Sequence, residues 1–231
     1  MEQLLGLPIL ASEHGRNVDQ LLIYVHLLMG ALFVGWLAYF IFVLFKFRNT
    51  LNPKASYTGA QTHASTFVEG AVVLVEAALL VLVAVPFWSK MVDHFPEEKD
   101  SVIVKVSAQQ FAWNFRYAGP DGQFGKQDIR LVTATNPHGV VQDDPAAKDD
   151  ISTLNEMRVP VNKPVILHVS SRDVIHSVKV AAFRLTQDAI PGMMIPTHFT
   201  PTKTGRYQII CAQLCGNGHS GMAQGFVYVD T

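Results

Sequence analysis

From Leu21 to Phe45 the chain reads LLIYVHLLMGALFVGWLAYFIFVLF, a run without one formal charge. It exceeds the roughly 20 residues that carry a helix across a bilayer, and a helix apolar on every side has no face for water. The run therefore reads as a transmembrane helix. A second run, FVEGAVVLVEAALLVLVAVPFW from Phe67 to Trp88, is long enough but carries Glu69 and Glu76. Its length, its aliphatic density and the closing Trp88 favour a second span over the buried helix of a soluble protein. Composition agrees: hydrophobic residues make up 49% of the 231 and charged residues 16%, against roughly 25% charged in an ordinary soluble domain. The net charge of -1 gives no footing for a nucleic-acid partner.

The flanks orient the spans. Lys46, Arg48 and Lys54 sit in the connecting segment without an acidic neighbour, whereas Arg16 is mixed with Glu2, Glu13 and Asp19 before the first span. Short basic loops stay in the cytoplasm. The expected order is an outer N-terminal segment over 1–20, spans over 21–45 and 67–88, a cytoplasmic loop over 46–66 and an outer domain over 101–231, on the periplasmic side of a bacterial inner membrane. The opening MEQLLGLPILASEHG lacks a basic stretch and does not read as a secretory signal. His26 reads as a helix-interface residue.

From Ser101 onward the pattern changes to short alternating runs, among them VIVKV, DIRLV, VILHVSS and GFVYVD, punctuated by Gly, Pro, Asn and Asp. Period-two apolarity between turn signals predicts antiparallel strands of an all-β sandwich or barrel. NPHGVVQDDPAAKDD is polar and aperiodic and reads as a long surface loop.

The only two cysteines lie in CAQLCGNGHSGM, Cys211 to Met222. In an oxidising compartment a disulfide is the ordinary expectation. Here, however, His219 follows Cys215 by four residues and Met222 follows His219 by three. Thiolate, imidazole and thioether together select copper over hard cations, with zinc the remaining competitor. A mononuclear blue site uses one Cys, two His and a weak Met; a second Cys also permits two thiolates to bridge two copper ions, each then needing a terminal histidine. His219 is one. His168, inside an alternating strand, and His176, after the Ser-Arg-Asp turn at a strand end, are the nearest sources of the other, and His176 is the better placed.

DVIHS, then DAIPG, then CAQLCGNGHSGM, together with the two apolar runs and the aromatic stretch QQFAWNFRY, resemble subunit II of the haem-copper oxidases that use cytochrome c. The likeness covers most of the chain. It implies a cupredoxin-like Greek-key sandwich behind a helical hairpin, holding the dinuclear copper centre called CuA. By that resemblance Cys211 and Cys215 bridge both coppers, His176 and Met222 complete one, and His219 with the backbone carbonyl of Gln213 completes the other. Most members have Glu where this chain has Gln213, and that carboxylate helps bind magnesium or manganese at the boundary with subunit I; the neutral amide puts that second site in question here.

The resemblance also implies electron entry from cytochrome c through an aromatic near the copper. Trp113 is kept, while Phe111 and Ala112 stand where many members have further Trp and Tyr, so Trp113 and Phe111 are the candidates. Trp113 as an ordinary core aromatic is the competing view. Asp143, Asp144, Asp149, Asp150, Asp173 and Asp188 are candidate docking carboxylates for a basic donor. Glu69 aligns with a family glutamate at the mouth of a proton pathway into subunit I; no role suggests itself for Glu76. The implied function is electron input to an oxidase whose subunit I reduces dioxygen to water, with subunit III, membrane lipid and cytochrome c as partners. The competing readings are the CuA module of a nitric oxide or nitrous oxide reductase, and a membrane-anchored copper carrier. Quinol oxidases of that superfamily lack the copper ligands, which points away from a quinol donor, and without Cys-x-x-Cys-His there is no site for a fused haem c.

Overall fold

The computed structural model describes residues 6–51, 54, 57–59 and 61–231. Glu2 and parts of the connecting segment, 52–53, 55–56 and 60, lie outside the described residues. The chain divides into two compact units, one over 17–89 and one formed by 2–16 with 90–231.

The first unit is helical. Helix α1 (Gly15–Lys46) runs on either side of the uncharged stretch. A second helical rod, 29 residues long, covers Ala64–Val92 in three parts: α2 (Ala64–Leu79), a π-helical turn over Leu80–Ala84, and α3 (Val85–Val92). Pro86 supplies a reason for the break, since a proline within a helix removes one N–H and crowds the carbonyl four residues back, here that of Leu82 inside the π turn. Both rods are long and apolar enough to cross a membrane, and their most apolar windows are wholly unburied. His26 donates a ring N–H to the Leu22 carbonyl one turn earlier, at 2.7 Å, satisfying one of its nitrogens within its own helix.

The second unit is a sandwich of two five-stranded sheets. In chain order its strands are β1 (Val102–Gln109), β2 (Ala112–Tyr117), β3 (Ile151–Leu154), β4 (Glu156–Pro160), β5 (Val165–Ser171), β6 (His176–Val180), β7 (Leu185–Ala189), β8 (Ile195–Phe199), β9 (Gly205–Cys211) and β10 (Gly225–Asp230). One sheet has the order β3-β2-β1-β5-β8, the other β4-β10-β9-β6-β7. The expectation of antiparallel pairing holds for most ladders, but β1 with β5 and β10 with β4 are parallel. Alternation reports which face of a strand is buried, not its direction, so the sequence could not reveal them.

Inward rows of each strand close the core. Val104, Val106 and Ala108 of β1 stand beside Val165, Leu167 and Val169 of the neighbouring β5 on the inner face of one sheet, and the aromatics Trp113, Phe115, Phe183 and Phe199 join the same core. On β9 the buried row Tyr207, Ile209 ends in Cys211, and on β6 the row Val180, Val178 ends in His176. Val178 pairs with Cys211 across the two strands. Period-two geometry thus carries a thiol and an imidazole into the core side of one end of the sandwich.

The stretch read as a surface loop is an ordered cover. His138, Gly139 and Val140 are buried, Gln127 bridges Val140, and Asp144 caps a short 3-10 turn over Pro145–Ala147. Its cohesion comes from local turns and side-chain bonds to backbone, which leave no periodic trace in the sequence.

Candidate metal centre

Three segments meet beyond the ends of β6 and β9. His176 opens β6, Cys211 closes β9, and the connection from β9 to β10 contributes Cys215, then His219 and Met222 on a 3-10 turn over His219–Gln224. Cys211, Cys215, Met222 and His176 are buried, the last two completely; His219 is half-buried. The cysteines are free thiols, with the two sulfurs 3.9 Å apart.

The remaining distances define one cluster. His176 Nδ1 lies 3.1 Å from Met222 Sδ and 3.9 Å from Cys211 Sγ. His219 Nδ1 is 3.3 Å from Cys215 Sγ, and Met222 Sδ is 3.5 Å from Cys215 Sγ. The Cys211 thiol donates to the Gln213 carbonyl at 3.0 Å, so that oxygen is aimed into the cluster while the Gln213 residue is otherwise exposed. All six residues singled out in the sequence are therefore brought together. His168 is not: it stands half-buried in the middle of β5, opposite Lys105 and Pro196.

Neighbours fix the donors. Asp173 Oδ1 is 2.8 Å from His176 Nε2, which turns Nδ1 toward the sulfurs. Burial works against the charge on Asp173, but the Gln110 backbone N–H, the His176 ring and the Val174 N–H together hold its carboxyl below the usual range. Asp173, weighed above as a docking group, thus serves His176 directly. Burial, followed by the neighbouring Cys211, pushes the Cys215 thiol up to about 11, as expected for a closely spaced thiol pair without a cation beside it. Gln110, which sequence reasoning missed, donates its Nε2 to the Cys215 carbonyl at 2.6 Å and its backbone N–H to Asp173 at 2.7 Å. Nothing about a glutamine before an aromatic strand signals that task.

The loop itself needs its glycines. Gly216 has φ +131, where side chains are rarely tolerated, and a Cβ on Gly218 would overlap the Phe111 ring. Phe111 is half-buried against this loop. Trp113 lies fully inside, its Nε1–H donating to the Met222 carbonyl at 2.9 Å and its ring edge-on to His176 at 6.2 Å. It is both a core aromatic and a direct neighbour of the cluster.

Other sequence candidates disperse. Asp150 is buried in an ion pair with Arg116 and is withdrawn as a docking group, because a carboxylate that close-packed cannot meet a partner protein. Asp144 and Asp149 accept backbone N–H groups of Lys126 and Asp121. Asp143 and Asp188 remain exposed. Glu69 and Glu76 stand exposed on α2.

Two thiols, two imidazoles, a thioether and a carbonyl within such distances form a soft, convergent donor set that fits copper and would be wasted on calcium or magnesium. The fold and the site together define a copper-type cupredoxin domain behind two membrane-length apolar helices. The cytochrome c oxidase subunit II periplasmic-domain family matches residues 102–227, more than half the chain. An alternative cytochrome c oxidase subunit 2 from Bradyrhizobium diazoefficiens is 30% identical over 194 residues, 84% of this chain and 69% of that protein. A cytochrome c oxidase subunit 2 from Thermostichus vulcanus is 39% identical over 121 residues, 52% of this chain and 28% of that protein. The crystal structure of the periplasmic domain of cytochrome oxidase subunit II (CoxB) from Bradyrhizobium japonicum, at 30% identity, covers 58% of this chain and 86% of that one with a TM-score of 0.41. This chain belongs to the cytochrome c oxidase subunit II family, and so is a subunit of a haem-copper oxidoreductase.

Proposed function

We propose that this chain is the electron-input subunit of a bacterial inner-membrane oxidase, taking electrons from cytochrome c at a dinuclear copper centre and passing them to haem in subunit I, where dioxygen is reduced to water. The observation that carries the reading is the convergence of His176, Cys211, the Gln213 carbonyl, Cys215, His219 and Met222. Cys211, Cys215, His176, His219, Met222 and the Gln213 carbonyl would hold the copper. When bound, the copper pair supplies a one-electron relay.

The chain's own residues do the rest. Asp173 holds the His176 ring by Nε2, which orients Nδ1 and raises its basicity. Gln110 and Trp113 tie down the backbone at Cys215 and Met222. Burial of His176, Cys211, Cys215 and Met222 against β6, β9 and Trp113 limits water at these donors, which favours rapid electron exchange at small driving force. Trp113, in contact with His176, and Phe111, nearer the surface, are the proposed entry residues. Asp188, exposed and paired with Ser177 beside His176, and the exposed Asp143 are the candidate groups to steer a basic cytochrome. Glu69, exposed on α2, is the proposed proton-pathway residue. Gln213 offers a neutral amide oxygen where most members of the family offer magnesium or manganese a carboxylate.

The test is stopped-flow mixing of ferrocytochrome c with the full chain in detergent, with and without copper. The reading expects copper-dependent oxidation of the cytochrome at a rate that falls with salt. Oxidation that ignores copper, or none at all, would reject it.

A further inference from the structure

The two imidazoles of the donor cluster are held by different means. His176 is turned by a side chain, since Asp173 Oδ1 lies 2.8 Å from its Nε2. His219 has no such partner among the described residues; its ring makes one polar contact, Nδ1 to Cys215 Sγ at 3.3 Å. Its place is therefore set by the backbone that carries it. That backbone is two linked turns, in which the His219 N–H donates to the Gly216 carbonyl at 3.1 Å and the Gly221 N–H to the Gly218 carbonyl at 2.9 Å.

The corner between β1 and β2 presses on these same glycines. Gln110 Nε2 donates to the Cys215 carbonyl at 2.6 Å and would stand 2.8 Å from a Cβ on Gly216. A Cβ on Gly218 would overlap the Phe111 ring at Cγ as well as along its edge. The two glycines answer different needs. Gly216, at φ +131, is required by its own backbone. Gly218 has φ -95 and ψ 14, values that ordinary residues adopt in type I turns. At Gly218 it is thus the Phe111 ring that excludes a side chain, and the glycine records a fit between ring and loop.

The corner is fastened independently of the loop it shapes. The Gln110 backbone N–H donates to Asp173 Oδ2 at 2.7 Å, and the Trp113 N–H donates to Asn155 Oδ1 at 2.8 Å. The Trp113 carbonyl accepts the Asn155 N–H at 2.7 Å, and the Ala108 carbonyl accepts the Arg172 N–H at 3.0 Å. Asp173 therefore serves both sides, with one oxygen on His176 and the other on the corner.

We propose that Gln110 and Phe111 are positioning residues for His219: they form a template that shapes 215–219 in the metal-free chain and so sets the His219 imidazole against Cys215. The consequence for metal retention rests on the copper reading above; the template itself is a property of the chain's own residues.

The experiment is a double-mutant cycle between Gly218 and Phe111 in the full chain in detergent, read first without copper as deuterium uptake over 212–224, then as loss of loaded copper to a chelator. Gly218→Ala is expected to speed uptake over this segment roughly fivefold or more, because overpacking forces the loop off the ring. It is also expected to speed copper loss on the order of tenfold and to alter the hyperfine pattern of the loaded chain. In the Phe111→Ala background the same substitution is expected to change none of these, since the ring that excluded the Cβ is gone. Gln110→Ala, which removes one hydrogen bond to the loop, is expected to speed uptake over 212–224 and copper loss while the strands keep their protection. Equal effects of Gly218→Ala in both backgrounds, or no effect in either, would overturn the proposal, and so would Gln110→Ala with uptake and copper loss unchanged. An intact cycle in a chain that takes up no copper would support the template and reject the copper reading.

Discussion

Segments 118–150 and 212–224 are both irregular and both bury polar atoms, yet they answer burial in opposite ways. In 212–224 Cys215 lies 3.3 Å from His219 Nδ1 and 3.5 Å from Met222 Sδ, and Gln110 and Trp113 hold the backbone at Cys215 and Met222. In 118–150 one ion pair is complete, while the nitrogens around it lack partners. The first segment is built to hold an ion by soft coordination; the second is a cover whose charges position it on the sheet. Function and attachment thus reside in different loops of one sandwich.

The largest break in that contrast is expected from Cys211→Ser. It removes one of the two buried thiols of the cluster, so copper per chain, measured after loading and desalting, should fall from the proposed two to at most one, with the 118–150 cover unaffected. Next comes Arg116→Met, which strands Asp150 as a buried, unpaired charge. About 3–5 kcal/mol of stability should be lost, read from denaturant midpoints, while copper stoichiometry is retained in the folded fraction.

pH sharpens the comparison further. His138, held at about 4 in the folded chain against about 6.5 when unfolded, binds its proton more readily in the unfolded state. Its contribution is therefore fully present above about 6.5 and is lost as pH falls toward 4, up to about 3 kcal/mol. His14, also lowered to about 4 by burial and by His198, adds a similar slope from another part of the unit. His138→Gln should flatten only part of the loss between pH 6.5 and 4; an unchanged slope would remove His138 from the account.

Trp113→Phe should cost about 1–3 kcal/mol, because the Met222 carbonyl loses its buried donor, and should slow electron uptake from cytochrome c. Stability loss with unchanged uptake would leave Trp113 a packing residue and shift the entry role to Phe111. The smallest effect is assigned to Asp188→Asn: slightly slower encounter with the cytochrome and a shallower salt dependence, with copper content unchanged.

How far the sequence revealed all this follows the same contrast. Cys, Met and His in one short stretch are so rarely assembled by chance that their types alone announced the site, and a place after the Ser-Arg-Asp turn at a strand end was enough to favour His176 over His168, which lies inside an alternating strand. The two helices were equally plain, because apolar runs of that length have few other meanings. The π turn before Pro86 was not, since it is a local repair of the hydrogen-bond ladder. Nor was the role of Gln110, Asp173 or Asp150. Glutamine and aspartate are ordinary surface residues, and only tertiary placement turns one Asp toward His176 and buries another against Arg116.

The central claim is that the six convergent donors hold a copper pair sharing one unpaired electron. Electron paramagnetic resonance of the copper-loaded full chain, with copper and sulfur quantified on the same sample, tests it most directly. The account predicts hyperfine splitting from two equivalent copper nuclei at two coppers per chain. A signal localised on a single copper, or a Cys211–Cys215 disulfide with no copper bound, would contradict it.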